Sequence, residues 1–191
     1  MDLKGKHVLL GVSSSVATYK ACDLARQFIH AGAEVKVIMT KNATKLVKPR
    51  QFAELTGNPV AVKMFDEIKE FEIEHISLAQ WADIVVVAPA TYNVINKIAC
   101  GIADDMLTTT IAAVPQQKTP VVFAPAMNTH MWTNPILQAN IEKLKTLTET
   151  QLSRYGYYHF VGPISGLLAC GDIGIGKMSE PADIVSFITN L

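Results

Sequence analysis

The sequence predicts an α/β fold: a single doubly wound parallel sheet, flavodoxin-like or Rossmann-like, with helices on both faces. Three observations lead there. The strand-like runs at residues 6–12 (KHVLLGV) and 83–88 (DIVVVA) are short and almost wholly apolar, as expected of strands covered on both sides. Segments with apolar residues at helical spacing separate such runs. The two kinds alternate along the 191 residues, which calls for βαβ crossovers instead of hairpins.

Taken in order, the run at 6–12 ends in Gly11 and Val12 and then serines, so it reads as the first buried strand. Residues 16–31 follow as a helix, with Ala17, Ala21, Leu24, Ala25, Phe28 and Ile29 on one face and Gly32 as its stop. The second strand is 33–40 (AEVKVIMT), and its crossover from the first should be right-handed. A short helix at 50–56 closes on Gly57. Residues 75–82 form a helix, with Ile76 and Ala79 turned inward, that feeds the strand at 83–88. A helical stretch over 93–114 carries a break at Gly101, and Asp104 and Asp105 look like an N-cap pair for its second half. A strand at 120–125, a helix at 135–147, a β-prone piece at 157–161 and an amphipathic helix at 181–191 complete the chain. Nothing suggests a repeat, a linker or a second domain, so 1–191 is expected to be one domain with a flap around 162–180.

Composition excludes several classes of function. Seventeen basic residues balance seventeen acidic ones with no basic block, which argues against nucleic acid as partner. The longest apolar runs are too short to span a bilayer, and the N-terminus has no signal-peptide architecture. Three cysteines without CxxC spacing suggest neither a disulfide framework nor a zinc site, so a reducing, cytoplasmic setting fits. No metal is expected. At 49% hydrophobic and 18% charged, the chain leans apolar, which hints at surface buried between copies.

In doubly wound sheets the ligand sits beyond the carboxyl ends of the strands. There lie Ser13, Ser14 and Ser15; Thr40, Lys41 and Asn42; Pro89, Ala90, Thr91, Tyr92 and Asn93; and Pro125, Ala126, Met127 and Asn128. All are free of carboxylates. The serines are either an anion cradle at a helix start or an ordinary N-cap. They match neither GxGxxG nor the P-loop, and a mononucleotide such as FMN suits the layout better. His75 is either a structural histidine or a proton carrier that titrates near neutrality. Asn93 and Asn128 either bond their own turns or bind flavin edges or a substrate carboxylate. Met127 either fills a gap or packs on an aromatic cofactor.

Cys22 and Cys100 fall on apolar helix faces and read as inert core thiols. Cys170 differs. It lies in residues 166–178 (GLLACGDIGIGKM), where four glycines permit close backbone approach and the hinges of a closing lid. A thiol there, followed by Lys177, suggests chemistry.

Together the blocks HISLA with WAD (75–83), APATYN (88–93), GIADDMLTT (101–109), PAMN (125–128) with Met131 and Trp132, and ACGD through GKM (169–178) resemble the flavin-containing cysteine decarboxylase family. The resemblance implies FMN as cofactor and a phosphorylated cysteine conjugate as substrate. The implied reaction is decarboxylation of 4′-phosphopantothenoylcysteine to 4′-phosphopantetheine in coenzyme A biosynthesis. His75 would then serve cysteine oxidation, Asn128 would recognise the substrate carboxylate, and Cys170 would protonate the enethiolate. Ala126, Met127 and Lys177 would also contact substrate. Gly11, Ser13, Ser15, Thr40, Pro89, Thr91, Asn93 and Thr108 would line the FMN site. The family forms trimers or multiples of trimers, such as dodecamers, with FMN at subunit contacts. This chain departs from the family at Tyr92, where a small residue is usual, at Gln80, where a cation is frequent, and at Ser14, where glycine is common. Its end at Leu191 leads to the expectation of a single-function enzyme, without the ligase domain fused in many bacterial relatives. The alternatives are a peptidyl-cysteine oxidative decarboxylase of lantibiotic maturation and a non-catalytic flavin-binding regulatory protein.

Overall fold

The structure, a computed structural model, describes residues 3–64, 74–115, 117–149 and 157–191. Strand β1 (His7–Val12) leads through a 3-10 turn (Val16–Tyr19) into helix α1 (Lys20–His30), and β2 (Glu34–Met39) follows. Next come α2 (Pro49–Thr56), β3 (Val60–Ala61), α3 (Glu74–Trp81) and β4 (Ile84–Ala90). Helices α4 (Tyr92–Ala99) and α5 (Met106–Ala113) precede β5 (Val121–Pro125). The chain continues through α6 (Thr129–Trp132), α7 (Pro135–Glu149) and β6 (Tyr158–Phe160). A hairpin of β7 (Ile164–Leu167) and β8 (Ile173–Lys177) and a final helix, α8 (Pro181–Thr189), complete it.

Six strands form one parallel sheet in the order β3-β2-β1-β4-β5-β6. This is the Rossmann order, with the direction of winding reversing between β1 and β4. The sheet is apolar on both faces because helices cover both. Val8, Leu10 and Val12 of β1 pack into one core with Leu24 and Phe28 of α1 and Ile184 of α8. Leu9 faces the other core, with Val85, Phe123, Ile95, Leu107 and Leu137. The period of two along β1 therefore feeds two hydrophobic layers, and no strand position needs to be polar.

The expected elements are present with three differences. The first turn expected of helix 16–31 is 3-10, because Ser15 caps it and Thr18 bonds back to the Ser15 carbonyl at 2.6 Å. The expected break in the stretch 93–114 is present: two helices separated by residues 100–105, with Gly101 at φ +71°. Asp105 alone caps α5, while Asp104 pairs with Lys97 at 2.6 Å and is held below the usual carboxylate range by that bond. The flap is not loose loop but the antiparallel β7–β8 pair. Its glycines and exposed apolar residues gave no period-two alternation to reveal it.

Candidate active site

The carboxyl ends of β1 and β4 meet at the topological switch point. The buried Ser13 hydroxyl donates to the Pro89 carbonyl at 2.7 Å, and the Thr91 N–H donates back to it at 3.1 Å. Ser13 thus ties the two central strands together. Thr40, after β2, joins the same edge: its N–H donates to the Val12 carbonyl at 3.0 Å, and its hydroxyl accepts from the Ala43 N–H at 3.3 Å. Gly11 has no side chain because the Leu107 side chain of α5 occupies that space. Thr108, also buried, completes the α5 cap with Asp105 at 2.8 Å. Gly11, Ser13, Thr40, Pro89 and Thr91 share this edge, and Thr108 follows the Leu107 that packs on Gly11, but the hydroxyls of Ser13 and Thr108 are engaged in holding the loops.

What remains available at this edge suits a phosphate-bearing cofactor. The N–H groups of Ser14 and Val16 have no partner among the described residues, and they open the helical run 16–30. Such groups attract anions. Ser14, Ser15 and Thr91 are partly exposed, and no carboxylate stands on residues 13–15, 40–42 or 89–93. The donor set therefore fits FMN. Asn93 is exposed on the first turn of α4, at the rim of this group.

A cavity of about 460 Å³ adjoins this edge, and Ser15 belongs to both. Its walls include Ala126, Met127, Asn128, Cys170 and Lys177. The flap strand β8 is laid directly on the segment after β5. The Met127 N–H donates to the Gly176 carbonyl at 3.0 Å, and a side chain at Gly176 would run into the Met127 carbonyl. A side chain at Gly174 would likewise meet Thr129. These two glycines serve close approach of the flap to the segment after β5.

The docked flap brings Cys170 to Asn128. The Asn128 side-chain oxygen accepts from the His130 N–H at 2.8 Å, which turns its amide N–H toward the Cys170 sulfur at 3.5 Å. Below the flap, Glu180 joins two lysines. Lys20 donates to both carboxylate oxygens at 2.8 Å, and Lys177 lies 3.3 Å from one of them. The Lys20 bond first, and the Lys177 bond after it, hold the Glu180 carboxyl below its ordinary range. Lys20 was not among the expected site residues. Its signal was faint: one cation at the start of α1, meeting its partner only across 160 positions of chain.

His75 is half-buried on α3, which packs on α5, and it does not line the cavity. Ile76, expected inside, is 36% exposed. Cys100, expected in the core, is exposed at the end of α4, since the helix stops one residue earlier. Cys22, also expected in the core, is half-buried against it, and burial pushes its thiol up. Tyr92 packs on the core beside α4, and Gln80 faces solvent.

The family model described as Flavoprotein matches residues 1–191. The coenzyme A biosynthesis bifunctional protein CoaBC of Bacillus subtilis (strain 168) is 46% identical over 96% of this chain and 42% of its own length. The chain thus spans less than half the length of the curated relatives it matches. Among solved structures, a PPC decarboxylase cysteine-to-serine mutant complexed with pantothenoylaminoethenethiol superimposes with a TM-score of 0.81. It is 33% identical, over 97% of both chains. The FMN binding protein AtHal3 gives a TM-score of 0.79 at 33% identity, over 98% of this chain and 96% of that one.

Proposed function

The chain belongs to the Flavoprotein family, and from that membership we propose that it is an FMN-dependent phosphopantothenoylcysteine decarboxylase of coenzyme A biosynthesis. Residues 1–191 would act as one decarboxylase domain with a substrate flap at 162–180. The observation that carries the reading is the meeting of Asn128 and Cys170 on one cavity wall, beneath a flap strand fitted to the PAMN segment.

The chemistry requires such an arrangement. A cysteine carboxylate cannot simply lose CO2, because the carbanion left behind has no sink. FMN, held by the N–H groups of Ser14 and Val16 and the loops after β1 and β4, would supply the reversible two-electron oxidation of the thiol-bearing carbon that creates such a sink. Asn128, its amide oxygen already engaged, presents only N–H to the cavity and can hold a carboxylate by donation. Cys170 stands beside it with a proton for the enethiolate that forms when CO2 leaves. Lys20 and Lys177, with Glu180 between them, leave the cavity wall one positive charge in excess, suited to a phosphorylated ligand.

His75 is assigned to the oxidation step. Since it does not line the cavity of its own chain, the site would be completed between copies, as a homotrimer or a multiple of trimers. Val16 and Tyr19 on the cavity wall are 68% and 64% exposed, and Leu167 and Ile173 on the flap are 69% and 84% exposed. Those apolar surfaces support burial by a further copy. No helix among the described residues is long and apolar enough to cross a membrane, and a cytoplasmic setting fits the free cysteines.

The test is to purify the chain, load it with FMN, and measure CO2 release and phosphopantetheine formation from 4′-phosphopantothenoylcysteine. Both products should appear in equal amounts. A protein that takes up no FMN, or that acts on a cysteine-ended peptide and not on this compound, would overturn the reading.

A further inference from the structure

The tip of the flap is built around one hydrogen bond to which the proposed chemistry assigns no role. Leu168 to Gly171 form a turn in which the Gly171 N–H donates to the Leu168 carbonyl at 2.9 Å. The Leu168 N–H then donates to the Asp172 carbonyl at 2.8 Å, closing the loop. Gly171 sits at φ +91°, a conformation open to glycine, and it reverses the chain so that the side chains on either side of it converge. As a result the Cys170 thiol donates to Asp172 Oδ2 at 3.3 Å. Among the described residues the Asp172 carboxylate has no cation, cap or other partner. An exposed carboxylate normally bonds water or a Lys or Arg, so a neutral thiol as its partner calls for a reason.

We propose that Asp172 is a positioning residue for Cys170 in the protonation step, an inference that rests on the decarboxylase reading above. The sulfur lies between two groups of opposite hydrogen-bond character. The Asn128 amide N–H points at its lone pairs from 3.5 Å, and the Asp172 carboxylate receives its S–H. A cysteine side chain has three staggered positions at its first torsion. The two contacts select the one that faces the substrate carboxylate site. The carbon that takes the proton is the one that carboxylate has just left, so a sulfur fixed against Asn128 is already beside it. In the transfer itself the S–H bond breaks, the enethiolate carbon gains the proton, and the thiolate formed regains a proton from water. Asp172 neither gains nor loses a bond to substrate.

Two steps that share one site can therefore be separated. CO2 departs before Cys170 acts, so a fault in positioning the thiol should spare decarboxylation and slow the protonation alone. In a single turnover with FMN-loaded protein, Asp172→Ala, which removes the acceptor, should release CO2 at the wild-type rate, within about twofold. Phosphopantetheine should form roughly tenfold more slowly, the effect of losing one good hydrogen bond, and the enethiol should accumulate meanwhile. Asp172→Glu, which keeps the acceptor, should recover most of the lost rate. A second readout needs no cofactor. In the unloaded protein, iodoacetamide should alkylate Cys170 several-fold faster in Asp172→Ala, because the S–H is no longer tied to an acceptor, while Cys100 reacts at an unchanged rate.

Equal rates of phosphopantetheine formation in wild type and Asp172→Ala would overturn the proposal. So would loss of both products together, or failure of Asp172→Glu to recover activity. A wild-type protein that releases no CO2 would instead overturn the decarboxylase reading, which keeps the two failures distinct.

Discussion

Replacing Gly176 by alanine tests whether the flap must lie flat on the segment after β5. The glycine holds φ +148°, a conformation that L residues rarely adopt, and a Cβ there would collide with the Met127 carbonyl, whose carbon would be only 3.2 Å away. The strands must then separate by a few tenths of an ångström or more. That strains or breaks the 3.0 Å bond from the Met127 N–H to the Gly176 carbonyl. One such bond contributes about 1 kcal/mol, and an unfavourable backbone conformation costs about 1–3 kcal/mol. Flap docking should therefore weaken by about 2–4 kcal/mol, or roughly 30- to 1,000-fold in its equilibrium. The hairpin pairs only with itself and lies outside the six-stranded sheet, so the melting temperature should change little. Limited proteolysis should cut the flap of Gly176→Ala readily, and kcat/KM should fall by more than tenfold with far-UV circular dichroism unchanged. A variant with wild-type protease resistance and wild-type kcat/KM would refute the close-approach argument.

The same geometry yields further expected outcomes. Cys170→Ser should still release CO2 but form little phosphopantetheine; equal yields of the two products would remove its assigned role. Ser13→Ala should cost about 2 kcal/mol, because it leaves the Pro89 carbonyl and the Thr91 N–H at 2.7 and 3.1 Å without their buried partner. That is a fall of about 4–8 °C in melting temperature for a chain of this size. Glu180 has a depressed folded-state value, so its ion pairs stabilise the fold above about pH 4.3, the unfolded value, and that contribution is lost as pH falls through the folded one. The difference in melting temperature between wild type and Glu180→Gln should therefore be constant from pH 6 to 8 and close on acidification below about pH 4. It should also be small and salt-sensitive, because the Glu180 side chain is 47% exposed.

The parallel sheet was legible because β1, β4 and β5 are covered on both faces, and continuous apolar runs leave little ambiguity. The flap hairpin was not. Leu167 and Ile173 pair across it while both face solvent, so no alternation of apolar and polar residues marked it. Asn128 and Cys170 stood out as polar or reactive residues in unusual local settings, and the fold brings them together. Gly174 and Gly176 lie in a run read as permitting both close approach and hinges, because sequence shows that a glycine is present but not what lies against it. Lys20 escaped notice for a similar reason, since Glu180 is distant along the chain. His75 stands half-buried on α3 and away from the cavity of its own chain, which its local sequence did not reveal.

The two outermost strands, β3 and β6, are only two and three residues long. So short a border offers a neighbouring molecule few free amides to zip onto, which guards against open-ended stacking of the kind that produces fibres. Were copies of the chain to associate, they would have to meet through helices and loops, whose shapes limit growth.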